Sequence, residues 1–289
     1  SCLSPADCPF VGRKSLLRFL EESVAKGGFQ VLRFSGPSGI GKTRTAEELL
    51  ARVAAEGRKP LRAPTPAWSI CEPLERIRAL AVELLELPCE PVAVDDLADT
   101  LKEKHLPADL LSGLCSVFGL TDSTPNRPPS IEKKRLDRAN AWRRLVVESA
   151  DRQPLVMLFA NIELLDGASR ELISALAATD SNAPLTLLLT HAQGFFALWP
   201  KRCQTIAVEE LNYPEAQKLA RIFAQGALSG ARVAEAVDGA QGNPLHIREG
   251  IAFYSLYAHD RPPQTLPDLI AARVNRLPPE ARQRLQSLA

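Results

Sequence analysis

Gly36-Pro37-Ser38-Gly39-Ile40-Gly41-Lys42-Thr43 is the stretch whose reading decides the fold. It fits the pattern G-x-x-x-x-G-K-[ST], and each fixed position has a physical task. Gly36, Gly39 and Gly41 let the backbone bend until successive N–H groups point inward at a polyphosphate. A helix opening near Gly41 adds its first-turn N–H groups and positive dipole end to the same anion. Lys42 reaches the terminal phosphates, and the Thr43 hydroxyl is placed to ligate Mg²⁺. Pro37, Ser38, Ile40 and Arg44 complete the stretch expected to line the ligand. Upstream, Gln30-Val31-Leu32-Arg33-Phe34 reads as a strand; downstream, Thr45, Ala46, Leu49, Leu50 and Val53 recur at helical spacing. Strand, loop and helix are the context this chemistry requires, so the expectation is a bound nucleotide.

The 289 residues suffice for one large or two medium domains, and 45% hydrophobic with 24% charged residues is ordinary for a globular chain. A net charge of +1 supplies no general attraction to nucleic acid or anionic membrane. No apolar run is long enough to span a bilayer, and Ser1 to Phe10 lacks the layout of a signal peptide. The cysteines at 2, 8, 71, 89, 115 and 203 form no C-x-x-C pair, which argues against zinc and for reduced thiols in a cytoplasmic protein.

Ahead of the loop, Phe10-Val11-Gly12-Arg13 leads into a helix carrying Leu16, Leu17, Phe19, Leu20 and Val24. After it, Lys59 to Ala63 reads as a second strand. An amphipathic helix with Leu74, Ile77, Leu80, Ala81, Leu84 and Leu85 on one face comes next. Thr121 to Ser130 has a loop composition. The helix from about Ile131 to Asp151 turns Ala139, Trp142, Leu145 and Val146 inward. Lys133, Lys134, Arg135, Arg138, Arg143 and Arg144 lie on its outer face, either as a nucleic-acid or partner contact or, more in keeping with the interleaved Glu132, Asp137 and Glu148, as a solvated surface. Pro154 to Phe159 and Pro184 to Thr190 are continuous apolar runs, as parallel strands buried on both faces must be, and Gln204 to Val208 is a further strand. Beyond Tyr213 the pattern is helical only. The expected fold class is therefore α/β: a P-loop NTPase three-layer parallel sheet followed by a C-terminal all-helical lid. The expected division is 1–210, with a helical insertion at about 64–130, then 211–277, then 278–289.

Hydrolysis asks for more than a phosphate loop. A strand ending in acids normally holds Mg²⁺ through water and polarises the attacking water. The strand Leu155–Phe159 ends instead in Ala160-Asn161, and neither residue is a base at neutral pH. Glu163 and Asp166 follow closely, either to serve the metal or to cap the next helix. His191, after Thr190, is placed to donate to a phosphate or to sit in a surface loop. Gly242-Asn243-Pro244 opens a helix with Pro244 at its first position, where a lid would meet the base.

Taken in order, these pieces resemble the ATPase module of the STAND class (signal-transduction ATPases with numerous domains), and the resemblance covers nearly the whole chain. It rests on Phe10 to Arg13, Gly36 to Thr43, Cys71-Glu72-Pro73-Leu74, Pro154 to Asp166, Leu187 to His191, Gly242 to Leu245, and Arg273 to Ala289. It implies that Val11, Gly12 and Arg13 lie on the base side and that Pro244 belongs to the lid. It implies ATP or ADP with Mg²⁺ as ligands, and a regulatory switch in a longer signalling protein. Arg276 to Arg282 looks like the start of a winged-helix domain. Other domains, protein partners and self-association are implied too; membrane is not, and the near-neutral charge speaks against nucleic acid. Ala160-Asn161 in place of the acidic pair, and His191 where an arginine often follows, imply slow or absent turnover. An ATPase that draws its acid from Glu163, Asp166 or a partner, and a DNA-handling ATPase of the origin-recognition type, are the alternatives.

Overall fold

The apolar runs of the sequence become neighbouring strands of one sheet. In a computed structural model, residues 9–64, 72–87, 92–120, 130–195, 203–257, 262–263, 265–275 and 277–286 are described. Cys2, Cys8, Cys71, Cys89, Arg276 and residues 121–129 of the expected loop lie outside them.

By its packing the chain divides into two compact units: 18–35 with 46–206, and 1–17 with 36–45 and 207–289. The first unit carries the sheet. Its strands are β1 (Gln30–Ser35), β2 (Lys59–Arg62), β3 (Leu155–Phe159), β4 (Leu185–Thr190) and β5 (Cys203–Ala207), in the order β2-β3-β4-β1-β5. The pairings β2–β3, β3–β4 and β4–β1 are parallel, with Leu61 opposite Met157, Leu158 opposite Leu188 and Leu32 opposite Leu188. Every residue of β3 and β4 is buried. Leu155, Met157 and Phe159 join one apolar cluster with Leu185, Leu187 and Leu189. Side chains alternate along a strand, so Val156 and Leu158, both 0% exposed, are covered on the opposite face. Two covered faces are why these strands read as unbroken apolar runs.

The helices that cover the clustered face are α3 (Glu75–Leu85), α4 (Val94–Glu103), α5 (Leu110–Phe118), α6 (Ile131–Arg152) and α7 (Gly167–Ala177), contributing Ile77, Leu80, Leu97, Leu114, Trp142, Leu145 and Leu172. Trp142 is wholly buried, as the spacing of α6 predicts, and Ala139 packs at the cluster's edge. On the basic side of α6, Arg135 pairs with Glu171, and Arg144 with Asp109 and Glu148. Helices α1 (Lys14–Ala25) and α2 (Lys42–Ala55) flank β1 in the chain, and both begin in the second unit.

The second unit is otherwise helical: α8 (Tyr213–Ala224), α9 (Gly230–Ala240), α10 (Pro244–Leu256), α11 (Leu266–Asn275) and α12 (Pro279–Gln286). Leu219, Ala220, Val233, Val237, Ile247 and Ile251 form its core, and Val11 joins them. No helix among the described residues is long and apolar enough to cross a membrane.

Candidate nucleotide-phosphate site

The glycine-rich loop leaves the carboxyl end of β1, which lies between β4 and β5, where the strand order reverses. Open α/β sheets bind ligands at such a switch point. Gly39 adopts φ +75°, and a β-carbon there would come within 2.6 Å of Leu245 Cβ, so both the turn and the close approach demand glycine.

The carbonyls of the loop are engaged one after another. Lys42 Nζ donates to Gly36 O and Pro37 O, each at 2.9 Å. Asn243 Nδ2 donates to Ser38 O at 2.9 Å, and Leu245 N to Gly39 O at 3.2 Å. Arg13 Nη2 donates to Ile40 O. Gly41 O accepts from Thr45 N and Thr45 Oγ1, each at 2.9 Å, and from Arg13 Nη1 at 3.5 Å. In a trans peptide the C=O and the following N–H point opposite ways. Carbonyls drawn toward Asn243, Leu245 and Arg13 therefore turn the N–H groups of Gly39, Gly41 and Lys42 to the other side of the loop. The N–H groups so turned and the dipole of the first turn of α2, which opens with Lys42 and Thr43, suit a polyphosphate. Arg44 follows in the same turn.

Arg13 sits in the left-handed region at φ 54°. Its guanidinium also donates to Thr45 Oγ1 at 2.9 Å and to Glu209 O at 3.1 Å, and its N–H to Glu215 Oε1 at 3.3 Å. Burial pulls its pKa down to about 10, against the opposing pull of Glu215 and Glu210, so it stays charged at neutral pH. Gly12 packs on the Glu215 carboxylate, and Val11 lies in the helical core. Asn243 caps α10, its Oδ1 accepting from Leu245 N at 3.0 Å and His246 N at 3.2 Å, with Pro244 in the first turn. Pro244, to which the sequence pointed, stands between Asn243 and Leu245, which both donate to the loop; the side-chain bond is that of Asn243. An N-cap asparagine has an amide to spare, which is the signal that could have found it.

In the other unit, the carboxyl ends of β3 and β4 are tied to each other. Asn161, at φ 52°, donates its N–H to Thr190 Oγ1 at 3.0 Å, and Ala192 N donates to Glu163 Oε1 at 3.0 Å. Glu163 Oε2 is buried and has no partner among the described residues. His191 is 6% exposed, so it is no surface-loop residue. Its Nδ1 lies 2.8 Å from Ala192 O, which makes that nitrogen the donor, and Nε2 has no partner among the described residues. Asp166 is the N-cap of α7, accepting from Ser169 N at 2.9 Å and Leu74 N at 3.3 Å. Burial pushes its pKa upward, but the hydroxyl and N–H of Ser169, with the N–H groups of Leu74 and Ala168, outweigh this and hold it below the carboxylate norm. Arg76, 5% exposed, donates to Ala160 O at 3.3 Å where the acidic pair was sought; nothing in the sequence marked it. Among the described residues no group of three His, Cys, Asp or Glu side chains could hold a metal ion. A Mg²⁺ at the phosphate loop fits only as Mg²⁺ usually binds, with a hydroxyl such as that of Thr43, phosphate oxygens and water.

A family model described as an AAA ATPase domain matches residues 9–189. No curated protein matches the chain. Among solved structures, a STAND protein with a tetratricopeptide repeat sensor from Pyrococcus horikoshii is similar over 96% of this chain and 35% of its own, at 16% identity and a TM-score of 0.52. Cdc6p from Pyrobaculum aerophilum is similar over 88% of this chain and 65% of its own, at 13% identity and a TM-score of 0.46. At 16% identity the likeness to the Pyrococcus protein is one of fold. The chain spans about a third of the length of the Pyrococcus protein.

Proposed function

Because the chain belongs to the AAA ATPase domain family, we propose that it is an ATP/ADP-binding regulatory switch in a signal-transduction protein of the cytoplasm, with slow or absent turnover. The observation that carries this reading is the loop 36–43, its carbonyls from Ser38 to Gly41 held by Asn243, Leu245 and Arg13. Lys42 binds the β- and γ-phosphates and Thr43 orients Mg²⁺, which when bound neutralises phosphate charge. The main chain of Val11 to Arg13 forms the base side, and the helical segment 211–277 answers to the ligand as a lid, with Pro244 at its leading edge. A switch needs only different affinities in two states, not catalysis. Ala160-Asn161, which supplies no acid after β3, supports slow turnover. Other domains of a longer chain and protein partners would read the state. Calorimetric titration with ATP and ADP, with and without Mg²⁺, is the test: micromolar-range heats should vanish in Lys42→Ala, and equal binding by that variant rejects the site.

A second reading, an active ATPase, is favoured by one observation. Asp166 is committed to capping α7, whereas Glu163 keeps a carboxylate oxygen without a partner among the described residues. Glu163 is then the base. Phosphate release above background that Glu163→Gln abolishes and Asp166→Asn leaves intact would establish this reading over slow turnover.

A further inference from the structure

Resting on the nucleotide-binding reading above, we infer that the Arg13 guanidinium and the Asn243 carboxamide are positioning residues of the phosphate loop, acting through its backbone carbonyls rather than on the base. Ser38 O, Gly39 O, Ile40 O and Gly41 O accept in turn from Asn243, Leu245 N and Arg13. The N–H groups of Gly39, Gly41 and Lys42 are thereby turned the other way, while Ile40 N donates within the loop to Pro37 O at 3.4 Å. An anion cradle binds tightly when its dipoles are set beforehand, because no ordering remains to be done on binding.

Each residue is itself held. Arg13 divides its donors between Ile40 O, Gly41 O, Thr45 Oγ1 and Glu209 O. A lysine ammonium could not span that set, since its three donors share one nitrogen whereas the guanidinium sets two nitrogens apart on a planar fork. Asn243 has separate duties for its two polar atoms: Oδ1 caps α10, and Nδ2 reaches Ser38 O. The division allows clean substitutions. Serine at 243 keeps a cap acceptor and removes the donor; aspartate keeps the cap and sets a carboxylate oxygen against Ser38 O. A consequence for the switch follows. Asn243 and Leu245 open α10, so a shift of α10 releases the carbonyls of Ser38 and Gly39, and by linkage the phosphates bias α10 in return.

The test displaces a fluorescent ATP analogue with ATP, GTP and inorganic tripolyphosphate, all with Mg²⁺, from wild type, Arg13→Lys, Asn243→Ser and Asn243→Asp. Loss of a charge-assisted hydrogen bond corresponds to about tenfold in affinity. Arg13→Lys and Asn243→Asp should weaken ATP and tripolyphosphate by about the same factor, near tenfold, with the ATP-to-GTP ratio unchanged; Asn243→Ser should lose several-fold. Wild-type affinity of Arg13→Lys for tripolyphosphate overturns the inference, as does a loss confined to ATP, which would put the guanidinium on the nucleoside. Should Arg13→Lys not melt cooperatively, Asn243→Ser carries the test, since its cap is kept. If wild type binds none of the three, or Lys42→Ala binds like wild type, the nucleotide-binding reading fails instead.

Discussion

Asp166 shows how an acid near a phosphate motif is spent on architecture. Its carboxylate takes donors from Ser169 and Leu74, so it closes the N-terminus of α7 and ties the start of α3 to it. Asp166→Ala should cost about 1 kcal/mol in denaturant unfolding, the usual loss for an N-cap. Its folded pKa lies below the unfolded value of 3.8, so its stabilisation is complete above that value and is lost as pH falls through the folded one. The stabilities of wild type and Asp166→Asn should therefore draw together only as pH falls below the unfolded value and through the folded one. Glu163 tells the opposite story at the same scale: one oxygen is fixed by Ala192 N and the other is unused among the described residues, so it keeps chemical potential that Asp166 has given up.

Among the elements, α5 and α6 depend on each other most visibly. Gly113 of α5 lets the helices approach until an added β-carbon would lie 2.5 Å from Asp137 O and collide with Ala141 Cβ. Rigid backbone cannot yield there as a side chain would, so Gly113→Val should destabilise by about 1–3 kcal/mol, the range for overpacking. A thermal melt would show it as a lowered midpoint. Trp142 fills the same interior from α6, and Trp142→Ala should cost about 3–5 kcal/mol. Gly113 carried no mark in the sequence, because a glycine in a helical pattern reads as a weakness until its neighbour is known. The α6 periodicity, by contrast, named Trp142, Leu145 and Val146 correctly, since a helix that buries one face must repeat its apolar residues near every third or fourth position.

For the whole molecule, ligand and fold are linked. A nucleotide at a hundred times its dissociation constant stabilises the form that binds it by about 2.7 kcal/mol, so ATP should raise the melting midpoint of wild type and leave Lys42→Ala unmoved. The packing of residues 36–45 with 207–289 in one unit adds a spatial expectation. Amide exchange should slow on ATP addition in the loop and in the first turn of α10 together, through Asn243 and Leu245. Slowing confined to the loop would mean that the helices do not respond to the ligand.

Residues close in the chain were enough to reveal the phosphate loop, the buried β3 and β4, and the helical character beyond Tyr213. Each is a local pattern, set by a backbone turn or by which faces meet water. What only the tertiary structure decided is who holds what across long separations: Arg13 on Ile40 O and Glu209 O, Asn243 on Ser38 O, Arg76 on Ala160 O, Asp166 on Leu74 N. Such bonds join carbonyls, which every residue owns, to donors tens or hundreds of positions away. Composition and spacing leave no trace of that choice; folding makes it, as most buried backbone groups pair with whatever partner the packing brings near.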